Sequence, residues 1–361
     1  MKPVQRSSYM EWVKTSPRVR FNLATSGVVP LPMSFLSVTF QDLELTGSGT
    51  YGYDPLQQVI ANKCEVSPDN VVAATGTSMA NHLAMAVLIQ QGDEVIIETP
   101  TYEPLVAIAQ YLGARIKRFV RSAESGFALD PKEVERAIGP RTRVIILTNL
   151  HNPSGALASD TDLAAVGAIA RSVQARVIVD EVYLDAAFER KPRSAHHLGD
   201  EFVTTSSLTK VYGLGGLRCG WILAAPELAT RMWRLNNLFG VDAAHIAEQL
   251  SCLAIMQLHR IYDRARTLLT NNRRIAFDLL AGCSTLDVSR SPFGTTLFPR
   301  LKRGSADELC QVLQEKHDTL IVPGRFFEMP THFRIGLGGD SGSLVAGLER
   351  LTLALNEIAY N

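Results

Sequence analysis

The sequence has too little of several things for several functions. Its five cysteines (Cys64, Cys219, Cys252, Cys283, Cys310) are odd in number, scattered, and include no C-x-x-C pair. That pattern fits free thiols in a reducing compartment better than a disulfide framework or a zinc site. Neither charge is in surplus: 36 basic residues face 36 acidic ones among 361. The chain therefore lacks the excess of Lys and Arg on which affinity for a nucleic-acid backbone rests, although a small local anion pocket stays compatible. The longest uninterrupted apolar run, Leu83–Ile89, falls far short of the ~20 residues of a membrane-spanning helix. Residues 1–14 hold no apolar core of a signal peptide. We therefore expect a cytoplasmic protein without membrane or nucleic-acid partners.

What is present is ordinary globular material, 46% hydrophobic and 20% charged, in a length that suggests two domains at ~150 residues each. From about residue 70, short β-branched runs alternate with stretches of helical period. The runs are Val71–Ala74, Glu94–Glu98, Arg143–Leu147, Arg176–Val179 and Phe202–Thr205. Asp130-Pro131-x-Glu133 carries an N-cap, a first-turn proline and a capping box. Near-continuous apolar strands alternating with helices predict an α/β fold with a mainly parallel sheet covered on both faces. After about residue 225 the rhythm stops. A long helix over 258–280, short strands at 295–300 and 333–336 and a closing helix over 344–358 predict a smaller α+β unit. The expected division is 1–41 as an N-terminal arm contributing to the small domain, 42–257 as the large domain and 258–361 as the small one. The arm carries Lys2, Arg6, Lys14, Arg18 and Arg20 against Glu11. It reads as a solvated segment packing on the body or on another subunit.

Several motifs fail in context. Gly47-Ser48-Gly49-Thr50-Tyr51-Gly52 matches the dinucleotide fingerprint, but no buried strand precedes it. Val177–Glu181 resembles the magnesium-holding strand of P-loop NTPases, but no G-x-x-x-x-G-K-[ST] occurs in the chain. Gly339-Asp340-Ser341-Gly342 resembles a protease nucleophile segment in a chain of the wrong fold class. His196-His197 has no further ligands at metal spacing.

One lysine stands in a distinctive setting, Ser206-Ser207-Leu208-Thr209-Lys210-Val211-Tyr212-Gly213, with Arg218 beyond. It follows a buried strand, where α/β proteins build ligand sites, and the hydroxyls and arginine around it suit a phosphate. Other candidates end other strands: the Thr75–Ser78 turn, Asn152-Pro153-Ser154-Gly155, and Asp180 with Tyr183. A partly buried Asp180 needs a cationic partner.

Taken with Tyr51-Gly52 to Ala61, Thr99-Pro100-x-Tyr102 and Phe333-Arg334-Ile335, these elements resemble the class I/II aminotransferases, fold-type I pyridoxal-phosphate enzymes. The resemblance implies an aspartate-aminotransferase-like fold whose large domain holds a seven-stranded sheet and the cofactor, pyridoxal 5'-phosphate. It implies that Lys210 forms a Schiff base with the cofactor and moves the proton during catalysis. Asp180 would pair with the pyridine nitrogen, and Tyr183 and Asn152 with the phenolic oxygen. Tyr102 would stack on the ring, while Thr77, Ser78, Ser207 and Arg218 hold the phosphate. Arg334 would take the substrate α-carboxylate, with Asn152 and the backbone of Gly27 beside it. The implied activity is amino-group exchange between an L-amino acid and a 2-oxo acid in a homodimer with shared sites. A lyase, decarboxylase or cyclising enzyme of the same fold is the alternative, and no metal is implied. The chain departs from the family pattern at Gly47, where relatives place a tyrosine that reaches the neighbouring subunit's phosphate; Tyr51 or Tyr53 could substitute. A second basic residue at the distal substrate end would imply a dicarboxylate, but the sequence does not place one.

Overall fold

The computed structural model describes residues 6–47 and 50–359. The first half runs α1 (Ser8–Thr15), β1 (Phe21–Asn22), α2 (Asp54–Cys64), β2 (Val71–Thr75), α3 (Gly76–Leu88), β3 (Glu94–Thr99), α4 (Glu103–Tyr111), β4 (Arg115–Val120), α5 (Pro131–Ala137), β5 (Thr142–Thr148), α6 (Asp160–Ser172) and β6 (Arg176–Asp180). There follow β7 (Phe202–Ser207), β8 (Cys219–Leu223), α7 (Pro226–Asn236), α8 (His245–Met256), α9 (Leu258–Leu280), β9 (Leu286–Asp287), β10 (Thr296–Leu297), β11 (Arg300–Leu301), α10 (Ala306–His317), β12 (Thr319–Leu320), β13 (Val322–Pro323), β14 (Phe333–Gly336) and α11 (Ser341–Ala359).

Strands β2 to β8 form one seven-stranded sheet in the order β2-β8-β7-β6-β5-β3-β4. β8 alone is antiparallel to its neighbours, and the remaining pairs are parallel. Both faces are covered. Val95, Ile97, Ile146, Ile178 and Val203 point to one hydrophobic core; Ile96, Ile145, Leu147, Val177, Val179 and Phe202 point to the other. Double burial is why these strands read as continuous apolar runs. The topology sets the site's position. Six strands end at one edge of the sheet and β8 starts there, so the turns after β2, β3, β5, β6 and β7 converge with Arg218.

The rest of the chain builds small sheets, β10-β14-β13 and β9-β11, beside α9 and α11. β1 pairs with β12, with Phe21 opposite Thr319 and Asn22 opposite Leu320. The N-terminal segment is thus stitched to the C-terminal part of the chain. The strand expected over 295–300 is two strands, because Phe298-Pro299 interrupts it and proline has no N–H for the ladder. The last helix starts at Ser341 rather than 344, since the Asp340 carboxylate accepts from the Ser343 N–H at 2.9 Å. The Gly339–Gly342 segment is therefore a helix cap. The arm is partly helical: Ser7 caps α1 by accepting from the Met10 N–H at 3.1 Å. Among the described residues no helix is long and apolar enough to cross a membrane. No metal-binding cluster of His, Cys, Asp and Glu occurs among them.

Candidate active site

A cleft of about 480 Å³ opens at the carboxyl edge of the sheet. It is lined by Thr77, Ser78, Tyr102, Asn152, Asp180, Tyr183, Ser207, Lys210 and Arg218. Every expected cofactor contact therefore faces one space. Arg334 and Gly27 do not line it.

Asp180 ends β6, 4% exposed. Its carboxylate accepts from Asn81 Nδ2 at 2.8 Å and from the Val182 N–H at 3.0 Å. Burial pushes its pKa up to about 6, against the pull of these bonds and of Lys210. Among the described residues no cationic group donates to it, so the carboxyl is poised for a cation entering the cleft. Asn81 is itself fixed, because its Oδ1 accepts from the Thr205 hydroxyl at 2.6 Å.

Lys210 follows β7 on a short loop, its Nζ donating to Ser26 Oγ at 3.1 Å. Tyr183 donates to the same oxygen at 2.8 Å, so Ser26 bridges the lysine and the phenol. Burial depresses the Lys210 pKa, which favours the neutral amine that a nucleophile requires. Gly27 packs against the Lys210 backbone, and the Val28 N–H bonds to the Lys210 carbonyl at 2.7 Å.

At the other end lies the start of α3. Gly76 has φ +75°, and a side chain there would collide with the Arg218 guanidinium. Glycine thus leaves room for Arg218 at the helix N-terminus, where backbone N–H groups and the helix dipole favour an anion. Among the described residues Arg218 donates only to the backbone carbonyls of Gly215 and Thr75. The Thr77 hydroxyl is buried without a partner. An unpaired arginine, an unsatisfied hydroxyl and a free helix N-terminus fit a phosphate, and the solitary Asp180 carboxyl fits a protonated pyridine. The residues present suit pyridoxal phosphate.

The opposite wall is α1. Tyr9, Met10, Val13 and Lys14 line the cleft from one helix face, held down by Ser7 and the Ser8 N–H bonding to Glu103. Arg334, on β14 and 1% exposed, lies behind Tyr9. It donates to Asn152 Oδ1 at 3.1 Å, to the Tyr9 hydroxyl at 2.8 Å and to the Ala24 carbonyl at 3.2 Å. Its Nε is buried and unpaired. Asn152 is set by a second buried network, in which its N–H donates to Thr148 Oγ1 at 2.9 Å. The Thr148 hydroxyl donates to Glu98 at 2.6 Å, and Glu98 pairs with Arg121 at 2.9 Å.

Sequence reasoning missed Ser26, Asn81, Thr148 and Tyr9. Asn81 had a signal, a polar amide inside the apolar stretch of α3; Ser26 and Tyr9 had none. Gly47 lies where a side chain would strike the His245 ring, and that ring packs edge-on against Tyr53 at 5.0 Å. Tyr51 packs on Trp233, and neither tyrosine lines the cleft. Ser48 and Gly49 of the glycine-rich segment lie outside the described residues.

Comparison with known proteins agrees with this geometry. The family described as aminotransferase class I and II matches residues 43–351. The chain belongs to that family. This family member is 28% identical to the capreomycidine synthase of Streptomyces vinaceus over 83% of its own length and 78% of the relative's. It is 27% identical to the arginine–pyruvate transaminase AruH of Pseudomonas aeruginosa, over 81% and 76%. Its fold superposes on a PLP-dependent aminotransferase from Streptococcus suis with a TM-score of 0.92 at 26% identity, covering 99% of each chain. The PLP-dependent cyclase OrfR shares the fold at a TM-score of 0.89 and 23% identity, covering 98% of each chain. The protein is a pyridoxal-phosphate-dependent enzyme of the aspartate-aminotransferase-like fold.

Proposed function

We propose that this enzyme exchanges an amino group between an L-amino acid and a 2-oxo acid. The observation that carries the reading is one cleft holding Lys210, Asp180 and Arg218, with Arg334 directly behind its wall. When bound, pyridoxal phosphate supplies an electron sink for the carbanion formed at the substrate Cα. Lys210 would hold the cofactor covalently and, when freed by the substrate's amino group, would serve as the base and acid that moves a proton at the substrate Cα. Asp180 would keep a proton on the pyridine nitrogen, its carboxylate oriented by Asn81 and the Val182 N–H. Tyr183 and Asn152 would address the phenolic oxygen, Tyr102 would cover the ring, and Thr77, Ser78, Ser207 and Arg218 would hold the phosphate. Arg334 grips the α-carboxylate as a bidentate pair, with Asn152 and the Gly27 backbone beside it. The test is Lys210→Ala. The variant is expected to lose the visible absorbance of the covalently held cofactor and to fall to the uncatalysed rate. Full activity would overturn the reading.

Intramolecular cyclisation is the second reading, favoured by the likeness to a capreomycidine synthase and to a cyclase of the same fold. The cofactor stabilises the same carbanion in both cases. Appearance of a 2-oxo acid from the amino donor supports transfer; a ring product with the nitrogen retained supports cyclisation. We also infer a homodimer. Phe40, Leu45, Leu238, Phe239, Val241 and Met256 are all more than half exposed. They lie along α8 and the segments next to it, and so much exposed apolar surface marks an association face.

A further inference from the structure

The Lys210 amine ends on a side chain to which the cofactor gives no task. Its Nζ donates to Ser26 Oγ at 3.1 Å, and among the described residues it makes no other hydrogen bond. The same oxygen accepts from the Tyr183 hydroxyl at 2.8 Å. Ser26 is 5% exposed and reaches the lysine from 184 residues away in the chain.

Main-chain bonds on both sides place this serine. The Gly336 N–H donates to the Leu23 carbonyl at 2.7 Å and the Val29 N–H to the Gly338 carbonyl at 2.8 Å, which ties the segment to the end of β14. The Val28 N–H donates to the Lys210 carbonyl at 2.7 Å, and the Thr295 hydroxyl donates to the Ser26 carbonyl at 2.7 Å. None of these bonds uses the Ser26 side chain. The backbone alone holds the hydroxyl against the amine.

Taking a proton from the substrate Cα breaks a C–H bond and leaves its electron pair with the cofactor-linked substrate. The new N–H bond turns the Lys210 amine into an ammonium, and burial opposes that charge. The ionisable groups around the amine are Tyr9 on α1, Asp180 at the end of β6, Arg218 before β8 and Arg334 on β14, with Tyr183 behind Ser26. Both arginines repel an ammonium, Arg334 engages the Tyr9 hydroxyl, and Asp180 is committed to the pyridine. The Ser26 oxygen is what remains to accept from the charged amine. A hydroxyl has one proton and two lone pairs. Ser26 can therefore donate to Tyr183 when that phenol turns to the cofactor, and still accept from Lys210.

We propose that Ser26 is a further catalytic residue, whose hydroxyl receives the Lys210 amine once the substrate has displaced it and accepts a hydrogen bond from the ammonium that carries the proton. This rests on the reading of Lys210 as the amine that holds the cofactor, and it serves amino transfer and cyclisation alike.

Uptake of pyridoxal phosphate by the full-length apoprotein tests this without turnover. The rate at which the visible absorbance of the covalently held cofactor develops follows the neutral fraction of the Lys210 amine, so its pH profile has a midpoint that belongs to that amine. Losing an acceptor disfavours the ammonium. Ser26→Ala should therefore move the midpoint down by about one pH unit, a tenfold change in the acid constant. Ser26→Thr keeps the hydroxyl and should return the midpoint close to that of the wild type. In the holoenzyme, Ser26→Ala should lower kcat about tenfold and change KM less than about twofold. The proposal is overturned if the Ser26→Ala midpoint stays in place or rises, or if Ser26→Thr is displaced as far as Ser26→Ala. The two readings fail separately. Absorbance that never develops in the wild type, or that develops equally in Lys210→Ala, sinks the assignment of Lys210. Absorbance that depends on Lys210 with a midpoint indifferent to Ser26 sinks only the role of the serine.

Discussion

The two ends of the cleft are built differently. The cofactor end is made of strand termini and the turns between them, so Asp180, Ser207, Lys210, Arg218 and the start of α3 are placed by a seven-stranded sheet with two buried faces. The substrate end is made of segments from both ends of the chain: α1, Ser26–Gly27 and β14. These hold together by side-chain bonds such as Tyr9 to Arg334 and Thr295 to the Ser26 carbonyl at 2.7 Å. A rigid sheet preorganises charge for a cofactor that stays. A helix pinned mainly at its N-terminus suits a substrate that must enter and leave.

If the rigid end carries the chemistry, removing its one buried carboxylate has the largest effect after loss of Lys210 itself. Asp180→Asn keeps the shape and loses the charge, and turnover is expected to fall by about three orders of magnitude. The same change should stabilise the protein without cofactor. Burial raises the Asp180 pKa from 3.8 to about 6, so above pH 6 the ionised carboxyl destabilises the folded apoprotein, on the order of 3 kcal/mol. The sign follows from proton binding: between the two pKa values the folded state holds the proton and the unfolded chain has released it. Wild-type stability therefore drops as pH rises from about 4 to 6, and the variant lacks that slope. Urea unfolding of the two apoproteins should converge near pH 4, with the variant the more stable at pH 7. A less stable variant at pH 7 would show that the carboxylate supports the fold rather than the cofactor.

The substrate end is expected to answer in affinity. Arg334→Lys keeps the charge but loses the fork that matches a carboxylate. For donors with an α-carboxylate, kcat/KM should fall about 10- to 100-fold, mostly through KM. An unchanged KM would move the carboxylate site elsewhere.

The same contrast explains what could be read from the sequence. Strand-end residues were legible because buried parallel strands leave an unmistakable apolar pattern and a charge directly after one is conspicuous; Asp180 after Val177–Val179 and Lys210 after Phe202–Ser207 both show it. The doubly covered sheet and the long helix over 258–280 were legible for the same reason. The substrate end depends on contacts between residues far apart in sequence, as in Tyr9 with Arg334 and Ser26 with Lys210. No local periodicity records such pairs. The arm read as solvated because its cations are frequent, yet one face of its helix turns Tyr9, Met10, Val13 and Lys14 to the cleft. The Glu98–Arg121 pair behind Asn152 was invisible for a similar reason: each member lies on or at the end of a strand that reads as ordinary sheet.

The smallest expected effect probes how α1 yields. The Tyr9 hydroxyl accepts from Arg334 at 2.8 Å, and the guanidinium is 1% exposed, so an incoming carboxylate must take that hydrogen bond over. Tyr9→Phe removes the competitor and keeps the ring that packs against Tyr102 and Phe326 at 5.7 Å. A hydrogen bond to a charged group is worth about 1.5–3 kcal/mol net; because Arg334 also donates to Asn152 and the Ala24 carbonyl, the low end applies, which translates to a KM lowered about tenfold with kcat little changed. The helix should stay docked, because Ser7 and Ser8 still bond to Glu103. Steady-state kinetics on the variant decide the sign. A raised KM would mean that the hydroxyl remains in place and joins Arg334 in holding the carboxylate, making α1 a fixed wall of the site.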